Sequence, residues 1–422
     1  MPDFAQHPDH IEAILAAALQ TADPHTAVRT HLHQQNNQLT IGPHTFDLAN
    51  GRLIILSIGK AAVPMALAAV DVVGETAVSG GGILTKHLPA ETPLPLPAYA
   101  GNHPVPGEKS IAATQKLLQT IQNLTENDLV LCLISGGASA LFTQPRLPLP
   151  VWQQLTQALL ARGCPIQDLN TVRRQLDAVK AGGLARLAAP AQVISLILSD
   201  VVGNDLASIG SGPTVANRET LDDARAVLQR YDVPLPAMTE LPTKTHPPGN
   251  IIDNLIIGSI QQSAQAAAAK ATELGFRTRL LTTHLEGEAR EVGKLAAALA
   301  KDAPPQSATL LGGETTVTLR GGGVGGRNLE TALAAAINLA GWSQRTLTSF
   351  ATDGDDGTSG VAGATVTGQT VRDWETAVTY LDNNDSYTFF QQLDAVGQGP
   401  HLIKTGPTGT NVNDLIIILN YG

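Results

Sequence analysis

The stretch RGGGVGGRN, residues 320–328, stands between the alternating segment TTVTL and the Ala-rich, helix-like run LETALAAAINLA. Gly321, Gly323 and Gly326 match the GxGxxG spacing of a dinucleotide loop. Such a loop needs a buried strand before its glycines and an acid about 20 positions later for the ribose. TTVTLR alternates polar and apolar residues and so reads as half exposed, while the preceding GGE predicts a hairpin with ATLL. Asp353, at the end of the next apolar run, keeps the dinucleotide alternative open. The third glycine, however, is followed by Arg327 at a predicted helix start, and a cation there suits phosphate oxygens.

Outward from this stretch the chain alternates short Ile/Leu/Val-rich runs with longer helical patterns. The runs are RLIILSI, GGILT, DLVLCLI, VISLIL, NLIIG, TRLLTT, SATLL, LTSFAT and DLIIIL, preceded by an N-terminal helical region. Most are apolar on both faces, as in a parallel sheet covered by helices on both sides, which predicts an α/β fold. At ~150 residues per domain, 422 residues imply two or three domains. The proline-rich stretch VPLPAMTELPTKTHPPGN, residues 233–250, is the best linker and divides the chain into domains 1–240 and 250–422. A second proline-rich run, residues 88–107, reads as a functional loop inside the first domain.

Composition narrows the function classes. A formal charge of −10 argues against coating nucleic acid, so an anionic ligand must be met by a few local cations. Cys132 and Cys164 are too few for a disulfide framework and lack metal-ligand spacing, which fits a reducing compartment. The start MPDFAQHPDH has no signal-peptide pattern and no apolar run reaches the ~20 residues of a spanning helix. The expectation is a soluble cytoplasmic protein with a small-molecule substrate.

Ligands of doubly wound sheets sit at strand carboxyl ends, so the residues after each run carry the functional signal. RLIILSI leads into GKAA, with Lys60 entering a helix whose positive dipole end disfavours a cation unless an anion lies between them. DLVLCLI leads into SGGASAL, where Gly136 and Gly137 let backbone N–H groups approach a phosphate and Ser135 and Ser139 can donate. VISLIL leads into SDVVGNDLASIGSGPT, with Asp200, Asp205, Gly212 and Thr214; either acid can cap a turn or hold Mg²⁺. Glu314 follows SATLL, and Asp353, Asp355 and Asp356 cluster after LTSFAT. Gly325 and Gly326 precede Arg327 and Asn328, and Thr405, Thr408, Thr410 and Asn411 precede DLIIIL. In LNTVRRQLDAVKAGG, helical spacing predicts Arg173, Asp177 and Lys180 on one face. Backbone donors, carboxylates for a metal and isolated cations at Lys60, Lys180 and Arg327 make up the inventory of phosphoryl transfer.

These loops, in this order, resemble the glycerate 2-kinase family with a C-terminal MOFRL-type domain. The resemblance runs through IGKAA, NHPVPGE, LISGGASAL, NTVRRQLDAVKAGGLA, LILSDVVGNDLASIGSGPT, GGETTVTLRGGGVGGRNLE, ATDGDDGTSGVAGA, LDNNDSYTFF and IKTGPTGTNVNDL, nearly the whole chain. It implies phosphorylation of D-glycerate to 2-phosphoglycerate with ATP and Mg²⁺, in a cleft between a larger Rossmann-like domain with a mainly parallel sheet and a smaller α/β one. It also implies a monomer or homodimer with no nucleic-acid or membrane partner. By motif, Lys60 and Arg327 are the active-site cations. Asp200 and Asp353 act beside them, and Asp200, Asp205 and Asp353 are the expected metal ligands. Ser135, Gly136, Gly137, Ser139, Gly212, Thr214, Gly325 and Gly326 are expected at the nucleotide. Lys180, Arg173, Asn328, Thr408 and Asn411 are expected at glycerate. Four positions depart from the family pattern: Ala181 in the Lys-Gly-Gly run, Val202 and Asn204 where SDVVGND stands for SDVPGDD, and Gly107 where an acid is common after HPVP. The competing classes are an NAD(P)H-dependent hydroxypyruvate reductase, which the glycine spacing favours, and a non-catalytic sugar-acid or nucleotide sensor.

Overall fold

The computed structural model describes residues 1–89, 93–216, 219–234 and 249–422. They form two compact units, Pro24–Ile257 and Met1–Asp23 together with Gly258–Gly422. The expected linker at 233–250 lies, for residues 235–248, outside the described residues. The division itself falls later, because Ile251–Gly258 joins the first unit's sheet as its last strand. The N-terminal helix also belongs to the second unit, not to the first as the 1–240 boundary implies. Helix His7–Ala22 buries Ile11, Ile14, Leu15 and Ala18 in one cluster with Ile260, Ala264, Ala267, Phe276 and Tyr421.

In the unit Pro24–Ile257, three short strands precede the main sheet: β1 (Leu32–Gln35), β2 (Gln38–Ile41) and β3 (His44–Asp47). They form an antiparallel meander, with Asn36 and Gly42 at positive φ in its turns. The expected N-terminal helical region therefore ends at His31. The cue was two turn pairs, Asn36-Asn37 and Gly42-Pro43, around short alternating runs. The main sheet comprises β4 (Leu53–Ile58), β5 (Val78–Thr85), β6 (Ala98–Ala100), β7 (Leu129–Ile134), β8 (Gln192–Leu198) and β9 (Ile251–Gly258), in the order β6-β5-β4-β7-β8-β9. The pairs from β6 through β8 are parallel. Every residue of β4 and β7 is buried, the pattern that their unbroken apolar sequences require when both faces are covered. This register brings the carboxyl ends of β4, β7 and β8, with the loops that follow, to one edge.

In the second unit, β10 (Arg277–Glu288), β11 (Ser307–Thr316), β12 (Arg345–Ala351), β13 (Gly363–Thr367), β14 (Leu402–Ile403) and β15 (Asp414–Asn420) order as β10-β11-β15-β12-β13-β14. Only β10 and β11 are parallel; the remaining pairs are antiparallel. The hairpin expected at GGE does not form. SATLLGGETT is one strand that stays paired with β10 as far as Glu288 opposite Thr316. Its glycines answer to a close neighbour, since a side chain on Gly313 would meet the Leu285 carbonyl oxygen at 2.0 Å.

A buried ion pair ties three helices of this unit to the glycine stretch. Arg290, on helix Ala289–Asp302, donates through Nε to Glu330 Oε1 at 3.1 Å, through Nη1 to Asp382 and through Nη2 to the Leu381 carbonyl. Glu330 Oε2 in turn accepts from Asn384 Nδ2, whose Oδ1 accepts the backbone N–H groups of Arg320 and Gly321. Removing one member of a buried pair strands the other charge in a poorly solvated place, at a cost of about 3 to 5 kcal/mol. Arg290→Met is expected to destabilise by that amount in denaturant unfolding, and Arg290→Met/Glu330→Met to recover part of it. A loss in the double variant equal to the sum of the Arg290→Met and Glu330→Met losses would show that the pair is not coupled.

Candidate functional site

At the β4 and β7 ends, the chain leaves each strand through a turn too tight for ordinary side chains. Ser135 follows β7; its buried Oγ accepts the Ala61 N–H at 3.0 Å, and the Lys60 N–H donates to the Gly136 carbonyl at 2.8 Å. The GKAA and SGGASAL loops are thus stitched together. Gly137 has φ +83, the left-handed region that favours glycine. A Cβ on Gly136 would lie 2.3 Å from Asp200 Oδ2, and one on Gly137 would lie 3.2 Å from Lys60 Cγ and from two atoms of the His103 ring. The turn therefore gathers Lys60, Asp200 and His103. Burial pushes the Asp200 carboxyl up, opposed by Lys60 and the Gly137 N–H. Burial and the neighbouring Lys60, Lys86 and His87 hold the His103 imidazole down to about 4, so that it is neutral near pH 7. Lys60 is exposed, at the start of helix Ala62–Val73, which has no side-chain cap.

The loops behind this turn are locked by a residue expected at substrate. Helix Ile166–Leu176 ends before Asp177, so Arg173, Asp177 and Lys180 do not share a helical face. Asp177 is extended and bridges Pro145, with its carboxylate accepting from Thr143 Oγ1 and the Gln144 N–H. Lys180 is buried, and its Nζ donates to the carbonyls of Ala138, Phe142 and Gly210 at 3.2, 2.5 and 3.1 Å. Its donors are spent on joining SGGASAL to SIGSGPT, where Ser139 Oγ lies 3.0 Å from Ser211 Oγ. Thr214 is likewise buried in a hydroxyl chain between Ser195 and Asn254. Arg173 is half-buried, and burial draws its guanidinium below its ordinary value. Asp205 caps its own turn through the Ala207 N–H and Ser208 Oγ. Gly212 lines a cavity of about 430 Å³ with Arg174, Asp205, Leu206, Val215 and Glu219, and Arg174 forms an ion pair with Glu219 that sequence reading missed.

In the second unit, the backbone of RGGGVGG is bound by residues 383–385. The N–H groups of Arg320 and Gly321 donate to Asn384, those of Gly322 and Gly323 to Asn383, and that of Val324 to Asp385. The start of helix Arg327–Leu339 is occupied by the chain's own acid. Asp356 accepts the Asn328 and Leu329 N–H groups at 3.0 and 2.8 Å, and a Cβ on Gly326 would meet its carboxyl carbon at 2.4 Å. Burial pushes the Asp356 carboxyl up to about 6. Gly325 packs against Ser386. Arg327 is not an isolated cation: it pairs with Asp414 through Nε and Nη2 and with Glu314 through Nη1 at 3.0 Å. Asn328 is buried, accepting from Ser349 and donating to Asp356. Thr408 Oγ1 donates to the Thr352 carbonyl and its N–H to that of Asp353, while Asn411 accepts the Asn413 N–H. Asp353 is half-buried and accepts the Asp355 N–H. Among the described residues, no group of three or more His, Cys, Asp or Glu side chains is placed to hold a metal ion. A cavity of about 680 Å³, between helix His7–Ala22 and the 398–405 segment, contains none of the residues expected to act. No helix among the described residues is long and apolar enough to cross a membrane.

A parallel sheet whose strand-end loops converge a lysine, a carboxylate and a glycine turn defines an α/β protein built to receive an anionic small molecule. Residues 10–241 match the family model DUF4147, a domain of unknown function, and residues 307–414 match the MOFRL family. The D-glycerate 2-kinase of Thermotoga maritima is 40% identical over 382 residues, covering 87% of this chain and 90% of its own. A relative from Agrobacterium vitis, 37% identical and covering 97% of this chain and 93% of its own, provisionally bears the name hydroxypyruvate reductase. The crystal structure of a Thermotoga maritima glycerate kinase superposes with a TM-score of 0.85 at 37% identity, covering 98% of this chain and 99% of its own. The chain belongs to the glycerate 2-kinase family with a C-terminal MOFRL domain.

Lys180 offers a direct check on how the first unit's loops are held. Lys180→Met would take the ammonium donor away from three inward carbonyls and is expected to cost roughly 3 kcal/mol in denaturant unfolding near pH 7. Burial lowers the Lys180 ammonium from 10.5 to about 8. The folded state therefore binds fewer protons than the unfolded state between these values, and this contribution to stability grows as pH rises through the window. The stability gap between wild type and variant should widen from pH 8 toward 10.5; a gap that narrows or stays flat would count against a buried ammonium.

Proposed function

We propose that the protein transfers the γ-phosphoryl group of ATP to the 2-hydroxyl of D-glycerate, with Lys60 as the principal cation. The observation that carries this reading is the convergence of Lys60 and Asp200 on the Gly136–Gly137 turn, at a helix start with no side-chain cap. Phosphoryl transfer asks a protein for position and charge rather than covalent chemistry, and such a turn supplies both. The triphosphate lies against SGGASAL, with Lys60 meeting charge on the transferred group. The wall formed by Leu206, Ala207, Val215 and Ala216 in the 430 Å³ cavity offers an apolar surface to the nucleoside. Within the second unit, Asp414 and Glu314 orient Arg327. Lys180 and Thr214 act by holding the loops, since their polar atoms are already engaged.

The carboxylates present fit a magnesium ion that arrives with the nucleotide, because Mg²⁺ commonly takes one or two carboxylates and fills its remaining positions with phosphate oxygens and water. Asp200 is the candidate ligand at the turn and Asp353 in the second unit, while both Asp205 oxygens serve its own turn. The ion, when bound, neutralises charge on the phosphates.

Reduction of hydroxypyruvate fits the molecule less well. A dinucleotide loop presents its N–H groups to a pyrophosphate, whereas those of residues 320–324 serve Asn383, Asn384 and Asp385. Steady-state kinetics with ATP and D-glycerate test the charge role. Lys60→Ala is expected to lower kcat by about 10³ or more, the size lost with a transition-state cation. A variant with unchanged kcat and only a raised KM would reduce Lys60 to uniform binding.

A further inference from the structure

His103 is a titratable group at the turn to which neither the sequence motifs nor the charge argument gives work. It lies in the NHPVPGE segment, between β6 and helix Glu108–Gln119. Its Nε2 and Cδ2 each come within 3.2 Å of the point where Gly137 would carry a Cβ, the point that Lys60 Cγ approaches equally closely. The ring is half-buried, so part of it remains open to a ligand on the turn. The titratable groups facing it are Lys60, Lys86 and His87, all of which disfavour a second proton. Asp200, beside Gly136, is engaged by Lys60 and the Gly137 N–H. A neutral imidazole beside a lysine that meets phosphate charge can accept the proton that an attacking alcohol loses.

We propose that His103 is a catalytic base of the transfer, accepting the proton of the glycerate hydroxyl. The proposal rests on the glycerate kinase reading and adds a residue to it. As the hydroxyl oxygen bonds to the γ-phosphorus, its O–H bond breaks and the proton moves to the unprotonated ring nitrogen. The bond from the γ-phosphorus to the β,γ-bridging oxygen breaks with its electron pair, which leaves on ADP. The half-exposed ring then returns the proton to solvent. Bound triphosphate also offsets the neighbouring lysines Lys60 and Lys86, so the imidazole becomes a stronger base when the nucleotide is in place.

The test is steady-state kinetics of His103→Asn and His103→Ala with ATP and D-glycerate, read as kcat and KM separately and with added imidazole. The expected result is a fall in kcat of about 10² to 10⁴-fold in both variants with little change in KM. Imidazole should restore turnover to His103→Ala in proportion to its unprotonated concentration, which a merely structural residue would not allow. Should His103→Ala not fold, kcat of the near-isosteric His103→Asn decides. A wild-type enzyme that phosphorylates glycerate alongside variants with undiminished kcat, or with a loss that imidazole does not restore in folded His103→Ala, overturns the role of His103 alone. A wild-type protein that forms no phosphoglycerate overturns the reading on which the proposal rests.

Discussion

A two-residue turn sets how closely three chemically different groups can approach one another in the first unit. With any side chain at Gly136 the Asp200 carboxylate would have to withdraw, and Gly137 combines φ +83 with the contact of Lys60 and His103. The turn is held from beneath. Ser135 receives the Ala61 N–H, Lys60 is fixed through its own backbone to Gly136, and the buried ammonium of Lys180 binds the far side of the loop to Gly210. Burying that ammonium is costly, and its three carbonyl partners are what make it tolerable. The parallel register of β4, β7 and β8 places all these loops at one edge.

The second unit solves a different problem. Its glycines bring backbone close to other backbone, and their N–H groups are received by Asn383, Asn384 and Asp385. The helix start at Arg327 already holds an anion in the form of Asp356. Arg327 lies between two carboxylates that keep its guanidinium charged and directed. Its charge is therefore largely compensated, whereas Lys60 is exposed and faces the positive end of a helix.

The α/β class and the apolar strands were legible because buried parallel strands have an unmistakable composition. The strand-end placement of Lys60, Ser135, Gly136, Gly137 and Asp200 was legible for a related reason: each follows such a strand within three residues. What the sequence hid was partnership. Nothing in LDNNDSY announces that it receives the amides of RGGGVGG, and nothing near Asp414 announces Arg327. Lys180 was expected on one helical face with Arg173 and Asp177, yet the helix stops at Leu176 and the chain turns it inward. The N-terminal helix was assigned by chain order to the first domain, though its apolar face matches Ile260 and Ala264. The GGE stretch suggested a reversal because two glycines serve a turn and a close strand contact equally well.

The most direct measurement is phosphorus NMR of the product formed from ATP and D-glycerate, with NADH absorbance followed in parallel on hydroxypyruvate. The proposed function predicts 2-phosphoglycerate in the first sample and unchanged absorbance in the second. Absence of a phosphorylated product together with hydroxypyruvate-dependent oxidation of NADH would contradict it.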